Sequence, residues 1–93
     1  MKPYYVYVLK SKKDGEFYTG FTSDIGKRLE EHNSGKVNST KKRTPFNLVY
    51  FEASYCIDDA THREKYLKTT YGKRYLRNRL KNYINDYRSI SQG

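Results

Sequence analysis

The first twenty residues constrain this chain most, because they leave little choice but a β-hairpin. Tyr4 to Lys10 (YYVYVLK) is dense in aromatic and β-branched side chains, which suit a pleated, half-buried surface. Lys12-Lys13-Asp14-Gly15 follows, and its Asp-Gly pair is a strong hairpin-turn signal. Glu16 to Gly20 (EFYTG) returns as the second strand. A connection with an even number of residues fixes the side-chain parity. Tyr5, Tyr7 and Leu9 are then expected on the same face as Tyr18 and Gly20.

Thr22, Ser23 and Asp24 offer N-cap oxygens to a helix over Ile25 to His32, which Asn33-Ser34-Gly35 stops. Its stripe is Ile25, Arg28, Leu29 and His32, at i, i+3, i+4 and i+7. Two of those four are ionisable, unusual for a face turned toward the protein. Lys36 to Thr44 is a polar, basic loop centred on Lys41-Lys42-Arg43. After Pro45, Phe46 to Ala53 (FNLVYFEA) reads as a third strand, expected beside the first because the hairpin fills the other edge. Asp58 or Asp59 caps a second helix over about residues 60–69, and Gly72 interrupts. Tyr75 to Tyr87 gives a third helix, with Leu76, Leu80, Tyr83, Ile84 and Tyr87 on one side. The order ββαβαα predicts an α+β fold: a small antiparallel three-stranded sheet flanked by helices, one domain over residues 1–93.

Charge narrows the function. The chain carries 19 Lys and Arg against 10 Asp and Glu, a net +9, and the excess is uneven. Residues 1–34 are nearly balanced, whereas Ala60 to Arg88 holds nine basic side chains and two acidic ones, Glu64 and Asp86. That is the electrostatic footprint of a polyphosphate binder. Lys73, Arg74, Arg77 and Lys81 on the basic C-terminal helix (about 73–88), with Lys68 and with Lys41, Lys42 and Arg43, form the expected nucleic-acid surface. A membrane would attract the same charge, but this helix carries Tyr, Asn and Arg where a lipid-binding helix shows Trp, Phe and Leu. No apolar run approaches a membrane span, and a signal peptide is not expected where the chain opens on a strand. Cys56 is the only cysteine, which excludes a disulfide framework or a Cys-based zinc site and points to a reducing, cytoplasmic setting.

Glu64 lies between Ala60 and Leu67 on what should be the core-facing side of the second helix. A carboxylate there is costly unless a cation holds it, and a divalent ion at an oxygen-lined site would do so.

Together these residues resemble the GIY-YIG nucleases over about residues 4–68. The first motif stands as Tyr5-Val6-Tyr7 and the second as Tyr18-Thr19-Gly20, eleven residues after the first tyrosine. Arg28 falls where the family places its catalytic arginine, and Glu64 in His62-Arg63-Glu64 where it places a single metal-binding glutamate, with Lys68 one turn on. The run YTGFTSDIGKRLEEH is most similar to small stand-alone bacterial members; better-characterised relatives include homing endonucleases and the incising subunit of excision repair. Tyr5 replaces the family's glycine, Thr19 an aliphatic residue, and Phe21 a lysine found in some relatives. The family's asparagine on the last helix has two candidates, Asn78 and Asn82.

The resemblance implies a metal-dependent endonuclease acting on DNA, in repair or recombination, with RNA also compatible. Glu64 would hold one Mg²⁺ or Mn²⁺, and Arg28 would neutralise charge on the phosphate. Tyr18 would deprotonate the attacking water with help from the metal, Arg28 or His32, and Tyr7 would orient the water or the phosphate. Specificity would come from DNA structure, a partner protein or the Lys36–Thr44 loop. The competing function is a non-catalytic nucleic-acid-binding module using the same basic surface.

Overall fold

The computed structural model describes residues 1–92, and for residues 87–92 the backbone alone. The side chains of Tyr87 and Arg88, at the end of the basic C-terminal segment, thus lie outside the described residues. The elements are β1 (Tyr4–Ser11), β2 (Phe17–Thr22), α1 (Ile25–Asn33), β3 (Phe46–Ser54), α2 (Ile57–Leu67), α3 (Thr70–Arg79) and α4 (Lys81–Gln92). They form an α+β fold around one antiparallel sheet of order β2-β1-β3.

The hairpin closes as its sequence predicts. Ser11 N–H donates to the Glu16 carbonyl at 3.0 Å, and Gly15 takes φ +75°, which a side chain would strain. Tyr7 pairs with Gly20 and Leu9 with Tyr18, so the expected parity holds. β3 pairs with the other edge of β1, with an irregularity between Val8 and Leu9. Val8 pairs with Tyr50 and Leu9 with Leu48, so Val49 is the extra residue of a bulge.

The sheet is packed on both faces. Val6 and Val8 of β1 meet Ala60, Leu67 and Leu76 of α2 and α3. On the other face Tyr7, Leu9 and Phe46 pack with Tyr18, Leu29 and Leu48, and α1 covers them. Asn33 ties the end of α1 to β3: its Oδ1 accepts from Phe46 N–H at 2.7 Å, and its Nδ2 donates to the Phe46 carbonyl at 3.2 Å.

The helices after β3 differ from expectation. α2 begins at Ile57 rather than near Ala60, and Asp58 and Asp59 sit inside its first turn, where carboxylates favour the positive end of the helix dipole. Gly72 does not interrupt a helix but lies within α3, whose N-cap Thr69 accepts from Gly72 N–H at 3.1 Å. A Cβ at this position would overlap the Tyr66 carbonyl and the Leu67 backbone, so the glycine serves close helix packing. The single third helix is two, because Leu80 leaves helical geometry (φ −104°, ψ 16°) while staying buried at the corner. The observed order is therefore ββαβααα.

Candidate active site

Tyr7 is the centre of the site. It is only 2% exposed, and its phenol crosses β2 directly over Gly20. A methyl group at Gly20 would overlap the Tyr7 hydroxyl, and Gly20 has no positive φ, so the glycine is needed for space alone. Gly20→Ala is expected to cost about 1–3 kcal/mol through overpacking. It should also push Tyr7 out of its hydrogen bonds, so the loss of any Tyr7-dependent activity should exceed what the fall in stability explains. Thermal unfolding beside a cleavage assay checks both.

α1 supplies the partners of Tyr7. Its N-cap Asp24 accepts from Lys27 N–H at 3.0 Å, which fixes where the helix starts. Arg28 and His32 follow one turn apart. Arg28 Nε donates to the Tyr7 hydroxyl at 3.4 Å, and Arg28 Nη1 to Glu31 Oε1 at 3.1 Å. His32 is fully buried, with Nε2 2.8 Å from the Tyr7 hydroxyl and Nδ1 2.7 Å from Thr40 Oγ1. Tyr18 offers His32 its ring instead, edge to face at 5.1 Å between centroids, and lies 6.5 Å from the Tyr7 ring. Sequence reasoning placed His32 behind Tyr18; its hydrogen bond goes to Tyr7. The reason is the sheet: Gly20 opens the space over β2 through which the Tyr7 hydroxyl reaches α1.

Burial raises the Tyr7 pKa, against the lowering effect of the Arg28 hydrogen bond and charge. The bond to Tyr7 holds Arg28 still more firmly protonated. Burial and the Arg28 charge lower the His32 pKa, with Glu31 opposing, so the folded imidazole is neutral near pH 7. The unfolded imidazole, with a pKa of about 6.5, therefore takes up its proton first as pH falls. Stability from this source is complete above about pH 6.5. Below that it should fall by up to about 1.4 kcal/mol per pH unit until the folded pKa is reached. Urea unfolding between pH 7.5 and 5 should show that slope, and His32→Gln should flatten it.

Glu64 sits at the rim rather than in the core. Ala60 and Leu67 occupy the buried stripe of α2, and the Glu64 side chain beside them is 20% exposed and held by Lys68 Nζ at 3.0 Å. The expected unpaired carboxylate is thus paired, one turn away on its own helix. α2 packs on β1 and β2, and the Glu64 charge reaches the Tyr7 hydroxyl, where it adds to the raised pKa. On the neighbouring side of α2, Arg63 grips Glu52 of β3 with two bonds, Nε to Oε1 at 2.8 Å and Nη2 to Oε2 at 3.0 Å. Tyr50 donates to Glu52 Oε2 at 2.9 Å, and the Arg63 guanidinium lies 4.9 Å from the Tyr75 ring. This latch fixes the rotation of α2 and hence the side on which Glu64 stands.

One accessible carboxylate suits a hard divalent ion that keeps most of its water, as Mg²⁺ does when bound through one or two carboxylates and substrate phosphates. No group of three or more His, Cys, Asp or Glu gathers among the described residues, so an all-protein metal cage is not what these side chains would build. Within that single-carboxylate scheme, Glu64 fits.

A cleft of about 460 Å³ opens beside Arg28, lined by Phe21, Thr22, Ser23, Asp24, Lys27 and Glu31. Lys73, Arg74 and Arg77 are exposed on α3 and Lys81 at the start of α4, with the Arg74 guanidinium 5.8 Å from the Tyr71 ring. Lys41 and Lys42 are exposed on their loop. Arg43 is not a free phosphate ligand: its Nε bonds Asp14 Oδ2 at 2.7 Å and its Nη2 the Glu16 carbonyl at 3.2 Å. The Arg43 hydrogen bonds hold the Asp14 carboxyl down at about 2. Asn78 lies in the last turn of α3 and Asn82 in the first of α4, both exposed, on either side of the corner at Leu80.

Among the described residues no helix is long and apolar enough to cross a membrane. A UPF0213 protein of Staphylococcus saprophyticus is 43% identical over 70 residues, covering 74% of this chain and 84% of its own. One from Staphylococcus aureus is 38% identical over 78 residues, covering 83% and 94%. The solution NMR structure of a UPF0213 protein from Bacillus halodurans superimposes with a TM-score of 0.50 at 38% identity, over 80% of this chain and 81% of that one. The family model of the GIY-YIG catalytic domain matches residues 3–80, and on that match and these relatives the chain belongs to the GIY-YIG family.

Proposed function

We propose that the chain is a metal-dependent endonuclease that hydrolyses phosphodiester bonds in DNA, as part of repair or recombination in the bacterial cytoplasm. The observation that carries this reading is the Tyr7 hydroxyl, poised between the Arg28 guanidinium and His32 Nε2 in a chain of this family. Glu64 would hold Mg²⁺ or Mn²⁺, which when bound would supply Lewis-acid polarisation of a phosphoryl oxygen.

Arg28, permanently charged and facing the cleft, neutralises the charge that develops on the phosphate. Water activation falls to Tyr7 rather than Tyr18. A standing tyrosinate is disfavoured where burial raises the pKa, but Tyr7 avoids one by taking the water proton while passing its own to His32 Nε2. Tyr18, half-buried against the His32 ring, orients the water or the phosphate. Substrate is held by Lys41, Lys42, Lys73, Arg74, Arg77 and Lys81, with Lys68 beside them in its pair with Glu64. DNA structure or a partner protein provides specificity.

The test is cleavage of plasmid, single-stranded and branched DNA with Mg²⁺ or Mn²⁺. Divalent-dependent strand scission is the expected result. Tight binding with no scission of any substrate, or of RNA, would make the chain a binding module instead. Replacing Arg74, Arg77 and Lys81 together by Gln should weaken binding to all sequences about equally. The slope of log K against log salt should flatten by about 0.9 for each phosphate the variant no longer neutralises. An unchanged slope would move the nucleic-acid surface elsewhere.

A further inference from the structure

Which nitrogen of a neutral imidazole carries the proton is set by the bond its other nitrogen makes. His32 can receive a proton from Tyr7 only if Nε2 is bare and Nδ1 is protonated. The group facing Nδ1 is the hydroxyl of Thr40, fully buried in the loop between α1 and β3, at 2.7 Å.

That hydroxyl has a second neighbour for its own proton. The Val37 carbonyl, which accepts from Thr40 N–H at 3.1 Å, lies 3.5 Å from Thr40 Oγ1, the back-bonding arrangement threonine adopts in a helical turn. With its proton turned to Val37, Oγ1 presents a lone pair to Nδ1. At the far end, Arg28 Nε donates to the Tyr7 oxygen, which leaves the Tyr7 hydrogen available for Nε2 at 2.8 Å. We infer that Thr40 is a positioning residue: it holds His32 in the Nδ1–H tautomer and so makes Nε2 the acceptor for the Tyr7 proton. This rests on the reading of Tyr7 as the proton-relaying group.

The loop is anchored well enough to do this. Ser11 Oγ donates to the Arg43 carbonyl at 2.6 Å, Lys12 N–H to the Pro45 carbonyl at 2.8 Å, and the Arg43 side chain closes on Asp14 at 2.7 Å. The hairpin turn thus braces the segment that carries Thr40.

The experiment is ¹⁵N NMR of the imidazole in the full chain at neutral pH, in a His62→Gln background that leaves His32 as the one histidine. The parent and Thr40→Ser should show the Nδ1–H tautomer, and Thr40→Val should shift to Nε2–H. Cleavage measured beside it should lose about 10²-fold in kcat for Thr40→Val, the low end of a general-base contribution, with KM little changed and Thr40→Ser restoring the rate. An Nε2–H tautomer in the parent overturns the inference even if Thr40→Val fails to fold, and so does a tautomer indifferent to Thr40→Val. Absence of cleavage in every variant overturns the nuclease reading instead, and leaves the NMR result to decide the role of Thr40.

Discussion

Glu64→Gln should abolish divalent-dependent cleavage while leaving the fold intact. Lewis-acid stabilisation of the phosphoryl transition state is worth several kcal/mol, and each 1.36 kcal/mol is a factor of ten, so a loss of about 10²–10³-fold or more is expected. The structural cost is small. The pair with Lys68 is an i,i+4 ion pair whose lysine is 51% exposed, a class worth about 0.3–0.5 kcal/mol. For a domain of this size that moves Tm by no more than about 2–4 °C. The amide still accepts a hydrogen bond from Lys68. Saturating Mn²⁺ should stabilise the parent, by about 2.7 kcal/mol at a hundred times Kd, and the variant far less. DNA binding without metal should persist, because the surface proposed for it lies on α3 and the Lys41–Lys42 segment. Cleavage at the parental rate, or an unchanged thermal response to Mn²⁺, would remove Glu64 from the metal site.

The parts of this molecule that were legible in its sequence are those decided by local periodicity. The alternation of Tyr5, Tyr7 and Leu9 and an Asp-Gly turn fix which side chains share a face, and the pairing of Tyr7 with Gly20 and Leu9 with Tyr18 follows. FNLVYFEA was harder, because the bulge at Val49 puts Leu48 on the side of Leu9 and Phe51 on the side of Tyr7, a pattern no strict alternation contains. Gly72 reads as a breaker by propensity, but contact with the Tyr66 carbonyl and the Leu67 backbone demands the smallest residue inside α3. Helical spacing put Glu64 beside Ala60 and Leu67 but does not tell the middle of a stripe from its edge. Arg43 counted as one more positive charge, since its bond to Asp14 spans 29 residues of chain. Thr40 carried no signal at all: a threonine in a polar loop meets His32 only through the tertiary path of that loop.

The last expected result separates the two motif tyrosines. Tyr7→Phe should reduce turnover by about 10²–10⁴-fold, the range general-base catalysis contributes, and Tyr18→Phe should reduce it less. The order follows from the polar contacts: the Tyr7 hydroxyl has His32 Nε2 at 2.8 Å and a guanidinium at 3.4 Å, whereas Tyr18 meets His32 through its ring, a contact phenylalanine keeps. Both variants should fold, since each retains its ring in the cluster with Leu9, Phe46 and Leu29. Tyr7→Phe leaves His32 Nε2 buried without its phenol partner, which costs about 1–3 kcal/mol. Tyr18→Phe should cost little. His32→Gln adds the decisive comparison. If Tyr7 passes its proton to His32, removing either should slow turnover to a similar level, and removing both should cost little more than removing one. Single-turnover rates for the two single variants and the double complete the cycle. A Tyr18→Phe protein slower than Tyr7→Phe would return the base to Tyr18, and additive losses from Tyr7 and His32 would break the relay into two unrelated contributions.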